Sequence, residues 1–229
     1  LKYEEGYSFL LEVLEDCYSE VLKNKTQLNK EVYFVLKHLI KCLGNYKEEL
    51  LHVHNWLQKR KFSAIGETGL DLFWDRTFTD QQYESFKLQI EWALQFNLPI
   101  VIHTRDAMQE TIDVVKKFTA RGLRGIFHCF SGTYKNAIDI INAGFLLGIG
   151  GVVTYKNAGV AEAIKEIDLA HIVLETDAPY LTPVPFRGKR NESSYIKYVM
   201  KKLAEIKNIS EEEIAEITTI NAERVFSAS

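Results

Sequence analysis

Short apolar runs alternate with stretches of helical spacing along most of the chain, and four of the runs end on a side chain able to ligate a metal. Phe62-Ser-Ala-Ile-Gly leads to Glu67, Pro99-Ile-Val-Ile to His103, Gly125-Ile-Phe to His128, and Ile172-Val-Leu-Glu-Thr to Asp177. A parallel strand buried on both faces reads as a continuous apolar run, and the ligand crevice of an α/β fold lies outside the strands' carboxyl ends. The pattern therefore predicts strands over residues 62–67, 99–103, 125–129, 145–149 and 172–175. Gly66 and Gly69 bracket Glu67 and leave room for a turn or for close approach of a ligand, which a Cβ would obstruct.

Between these runs the apolar positions recur at helical spacing. They predict helices over residues 46–60, 79–96, 107–121, 134–143 and 158–167. Thr79 is placed to cap the second of these, with Gln82 three residues on, and Gly122 to stop the third. Prolines 179, 183 and 185 mark a long loop reaching to Arg190. Helices follow over 193–207 and 210–221, the last opened by a capping box of Ser210 and Glu213. Ahead of all this, residues 7–23 read as an amphipathic helix and 32–36 as a strand. Strands alternating with helices imply one parallel sheet with right-handed crossovers. Five strands and one ambiguous one are visible where a closed barrel of about eight needs more, and the deficit falls at the N-terminus.

The 229 residues are 46% hydrophobic and 26% charged, which suits a single α/β barrel domain over 1–229. The formal net charge of -3 provides no overall basic field, so a polyanion would have to be held by a local patch and by metal ions. Three cysteines, Cys17, Cys42 and Cys129, show neither a disulfide framework nor a Cys-x-x-Cys zinc module, and Cys129 is expected to be structural. No run approaches the roughly 20 apolar residues of a membrane span, and the opening residues lack the charged-then-apolar pattern from which a signal peptide would be expected. The cytoplasm, or the nucleus in a eukaryote, is the expected location. Leu1 in place of Met is what a fragment, a processed form or an offset numbering would show.

Taken alone, Glu67 reads equally as a ligand or a loop acid, and a lone strand-end histidine is usually a core residue. Glu67, His103, His128 and Asp177 at four equivalent strand ends together point to a divalent metal centre. Arg105 follows His103 by two residues, and Arg187, Lys189 and Arg190 lie in the proline-bounded loop, where they could meet phosphate or form a solvated charge run. Phe73, Trp74, Phe130 and Tyr180 flank the ligands as base-stacking surfaces or as packed rim aromatics. His38 and His171 carry no expected role.

Ala-Ile-Gly-Glu-Thr-Gly-Leu-Asp, Ile-His-Thr-Arg, His-Cys-Phe-Ser-Gly and Glu-Thr-Asp-Ala-Pro-Tyr-Leu, in that order, resemble the TatD-like metal-dependent deoxyribonucleases. The resemblance runs from about Lys47 to Phe226, includes Arg187-Gly-Lys-Arg-Asn-Glu192, and leaves residues 1–46 poorly matched. It implies a TIM-type (β/α)8 barrel, here incomplete or irregular at the N-terminus. It implies one or two ions per chain, magnesium or manganese, with zinc as a crystal substitute. By the resemblance Glu67 bridges the ions, His103 and His128 complete one, and Asp177 ligates the other while serving as general base. Arg105, Arg187, Arg190 and Glu192 would bind substrate. The expected substrate is DNA, single-stranded or frayed at its ends, cut by an exonuclease; a non-nucleic-acid ester or amide, or a binding barrel without activity, are the alternatives.

Family members open with a strand ending in a His-x-His pair, which residues 1–45 do not contain. His52-Val-His54 has the letters, but on a helix those side chains point about 200° apart and do not clasp one ion. The Asp177 ion is thus expected to be weakly held and the Glu67-His103-His128 ion to dominate.

Overall fold

The computed structural model describes residues 46–73 and 76–226. The helix expected over 7–23, the strand over 32–36, His38 and Trp74 lie outside them. The chain divides into two compact units, Leu1–Val53 and His54–Ser229.

After helix α1 (Tyr46–Lys59), strand and helix alternate: β1 (Ile65–Asp71), α2 (Thr79–Gln95), β2 (Ile100–Arg105), α3 (Met108–Lys116), β3 (Gly125–Phe127), α4 (Tyr134–Asn142), β4 (Phe145–Ile149), α5 (Val160–Ile164), β5 (Ile172–Leu174). Helices α6 (Ile196–Lys207) and α7 (Glu211–Phe226) close the described chain. The five strands form one sheet in sequence order, each pair parallel. The runs of β3 and β4 are buried on both faces, with no accessible position, whereas β1 and β2 have partly exposed ones.

Alternation divides the sheet into two faces. Ile126, Leu146 and Val173 share one face, with Val101 beside them and Val225, Ala222 and Phe226 of α7 packed over it. The β2–β3 ladder continues one residue past β3, where the His128 N–H donates to the Ile102 carbonyl at 2.9 Å, and the Glu175 N–H extends β5 by donating to Ile149 at 3.1 Å. The same two-residue period therefore carries His103, His128 and Glu175 onto the α7-covered face, above the apolar cluster.

Several local expectations are corrected. Thr79 is the first residue of α2 rather than its cap, and its hydroxyl donates to the Arg76 carbonyl at 2.6 Å. Gln82 serves β1 instead: its side chain accepts from the Asp71 N–H at 2.8 Å and donates to the Asp71 carbonyl at 3.0 Å. The helix expected over 107–121 stops as α3 at Lys116 and resumes as a 3-10 turn, Thr119–Arg121, before Gly122 at φ 90°. Helix α5 is only Val160–Ile164, shorter than the expected 158–167. Half of the Ser210 capping box forms, the Glu213 N–H donating to the Ser210 hydroxyl at 3.1 Å.

Candidate metal centre

Glu67 reaches the site through a break in strand regularity. Ile65 pairs with Ile100 and Thr68 with Ile102, so Gly66 and Glu67 together oppose the single residue Val101. Such a bulge bends the strand and re-aims the extra side chain, here a carboxylate. Gly69 has a different task from the one its sequence position suggested: a Cβ there would collide with the His103 carbonyl oxygen, so the close approach is between strands and not toward a ligand.

His128 sits among three carboxylates. Its Nε2 lies 3.7 Å from Glu67 Oε2 and 3.4 Å from Asp177 Oδ1, and its Nδ1 lies 3.0 Å from Glu175 Oε2. Glu175 also accepts the Cys129 N–H at 2.6 Å through its other oxygen, fixing the backbone beside the imidazole. Gly148 clears the space, since a Cβ there would meet Glu175 Oε2. Burial alone would lower the His128 pKa, but Glu175, Asp177 and Glu67 override it and push it up to about 10. Cys129 offers its sulfur within 4.8 Å of ligand atoms from His128 and Asp177, so geometry admits it to the cluster. Burial, reinforced by the carboxylates of Glu175, Asp177 and Glu67, pushes its thiol pKa up, which leaves it a poor nucleophile.

The structure thus brings Glu67, His128 and Asp177 together. His103 stands beside Gly69 in the β1–β2 register, and its Nε2 meets Asp71 Oδ2 at 3.3 Å. A carboxylate behind each imidazole orients the ring and raises its basicity toward a cation. Glu175 and Asp71 were not singled out from sequence, although both occur in the motifs that carry the family resemblance. The one available signal is that Glu175 precedes Asp177 by two, the spacing of a shared strand face.

Arg105 and Arg187 are exposed, but each lies over an aromatic ring. The Arg105 guanidinium lies 3.8 Å from the centre of the Phe73 ring, and that of Arg187 lies 4.3 Å from the Tyr155 ring. Tyr155 donates its hydroxyl to the Thr182 carbonyl at 2.9 Å, pinning the proline loop. Arg190 is exposed. Glu192 begins a 3-10 turn, its backbone N–H held by Asn191 Oδ1 at 2.9 Å. Phe130 is 2% exposed and belongs to the core, so it offers no stacking surface; Phe73 and Tyr180 are exposed. His54, half-buried, packs against Trp92 and Phe96, with ring centres 5.2 and 6.2 Å apart.

The TatD related DNase family model matches residues 19–227. Over 190 residues the chain is 45% identical to YabD of Bacillus subtilis (strain 168), described as an uncharacterized metal-dependent hydrolase, covering 82% of this chain and 74% of the relative. YcfH of Escherichia coli (strain K12), described in the same words, is 35% identical over 164 residues, covering 71% of this chain and 62% of its own. Among solved structures, the TatD homolog YjjV from Escherichia coli K12 matches with a TM-score of 0.75 at 28% identity, over 80% of this chain and 71% of that one. A TatD family hydrolase from Entamoeba histolytica matches with a TM-score of 0.66 at 25% identity, over 84% and 71%. The fold is the TIM-type α/β barrel of these neighbours, of which the described residues hold five successive parallel strands.

Proposed function

The chain belongs to the TatD related DNase family, and from that premise we propose that this metal-dependent hydrolase cleaves phosphodiester bonds of DNA, removing nucleotides from single-stranded or frayed ends. The observation that carries the reading is a buried imidazole within 3.7 Å of Glu67 and 3.4 Å of Asp177; Arg105 and Arg187, each lying over an aromatic ring, are the candidate phosphate contacts.

Carboxylate oxygens with imidazole nitrogen suit a hard or borderline divalent cation, magnesium or manganese, and Glu67, His103, His128 and Asp177 are the residues that would hold one or two. Such an ion supplies polarisation of the phosphoryl oxygen and a more acidic attacking water. Asp177 would serve as general base for the attacking water. Glu175 keeps the His128 ring in one orientation throughout. Arg105, Arg187 and Arg190 balance the charge that grows on the phosphate oxygens, and Arg105 and Arg187 do so from positions fixed by Phe73 and Tyr155. Glu192 follows Arg190 by two residues, precedes the 3-10 turn that ends the arginine-bearing loop, and would bind substrate with them.

Turnover of a labelled single-stranded oligonucleotide by three variants tests this assignment. Glu67→Ala should abolish hydrolysis, whereas His52→Ala and His54→Ala should leave it nearly intact. Equal loss in all three would place the ligands on α1, and hydrolysis of a neutral ester in preference to the oligonucleotide would reassign the substrate.

A further inference from the structure

Asp177 occupies a left-handed backbone conformation, φ 52°, which is uncommon outside glycine and persists only where the surroundings impose it. The imposing residue is identifiable. Asn191, 2% exposed, donates one amide hydrogen to the Thr176 carbonyl at 2.6 Å and the other to the Tyr180 carbonyl at 2.5 Å. Its own backbone N–H donates to the Pro179 carbonyl at 3.0 Å, and its Oδ1 accepts from the Glu192 N–H at 2.9 Å. One side chain thus grips the backbone on both sides of Asp177 while standing directly after Arg190.

We propose that Asn191 is a positioning residue which sets the Asp177 carboxylate against His128 and ties the arginine-bearing loop to the metal-ligating turn as one rigid piece. The proposal rests on the reading of Asp177 as a metal-site residue. The loop's other ties favour that rigidity: the Thr182 hydroxyl bonds the Lys189 carbonyl, the Val184 N–H donates to the Thr154 hydroxyl at 2.9 Å, and a Cβ on Gly151 would collide with Leu181. Both amide donors of Asn191 go to carbonyls, so Asn191→Asp would set an acceptor against two acceptors.

A matched control lies within the same protein. Asn221 is 3% exposed and its amide donates to the carbonyls of Leu169 at 2.7 Å and Ile172 at 2.8 Å, at the amino end of β5 and away from the ligands. Manganese titration calorimetry, oligonucleotide turnover and thermal melting are compared for wild type, Asn191→Asp and Asn221→Asp. Both variants should melt earlier, but only Asn191→Asp should lose manganese affinity by about tenfold or more, with a matching fall in kcat. Asn191→Ser, retaining one donor, should fall between and serves if the aspartate variant does not fold. Wild-type affinity in a folded Asn191 variant, or equal losses in both asparagine positions, overturns the proposal. A wild type that binds manganese yet cleaves no phosphodiester overturns the proposed function instead, and the affinity comparison still decides the role of Asn191.

Discussion

His128 faces carboxylates on both sides of its ring, and its protonation therefore governs how the site accepts a cation. With its pKa pushed up to about 10, the metal-free site holds an imidazolium at neutral pH. A cation ligated by His128 needs the neutral imidazole, so that ion must expel a proton, and its affinity should climb by about tenfold per pH unit until His128 titrates. Calorimetry in buffers of different ionisation heat measures that proton; pH-independent affinity would contradict it. The sign for stability is opposite. A raised folded-state pKa stabilises fully below the ordinary 6.5 and is lost as pH rises through about 10, so the melting temperature of the metal-free protein should decline across that window. Glu175→Gln keeps an acceptor toward Nδ1 but removes the charge, and should weaken metal binding by about 10–100-fold while lowering the imidazole pKa, read by NMR titration. Glu67, His103, His128 and Asp177 were legible as candidates because each ends an apolar run. Glu175, Asp71 and Asn191 were not, because their partners lie 47, 32 and 15 residues away and no local pattern encodes a contact made only after folding.

The elements that deliver these side chains are short parallel strands whose ends must match closely. The bulge in β1 is the sensitive point, since it turns Glu67 inward while Gly69, at φ 151°, lets β1 and β2 close behind it. Gly69→Ala should cost about 1–3 kcal/mol through collision with the His103 carbonyl and should also misplace Glu67, so denaturant midpoint and metal affinity fall together. An unchanged midpoint would mean that the strands shift to absorb a Cβ. Strands β2 to β5 and most helices followed from periodicity, whereas β1 runs Ile65–Asp71, past the expected end at Glu67, because the glycines and polar residues after it carry no apolar run. Helix ends followed less well: Gln82 had the spacing of a capping partner, yet its amide bridges to the Asp71 backbone eleven residues away. Tertiary hydrogen bonding outcompeted the local motif.

At the scale of the molecule, charge decides how substrate is held. The chain carries 28 Lys and Arg against 31 Asp and Glu, so on the proposed reading attraction to DNA would come from Arg105, Arg187 and Arg190 rather than from a general field. If Arg105, Arg187 and Arg190 each neutralise one phosphate, log KM should rise with log salt at a slope of about 2, and Arg187→Ala should reduce that slope by about 0.7. A slope unaffected by the arginine would remove it from the substrate path. No described helix is long and apolar enough to cross a membrane. Composition pointed only to an ordinary globular protein and left DNA open, since the charges proposed to meet it are three residues among 229. The most direct measurement for the proposed function is hydrolysis of an end-labelled single-stranded oligonucleotide by protein stripped with chelator, followed as manganese is added back. Turnover should vanish on stripping and return with saturable metal dependence, whereas hydrolysis that survives chelation, or that never appears at saturating manganese, would contradict a metal-dependent nuclease built on Glu67, His128 and Asp177.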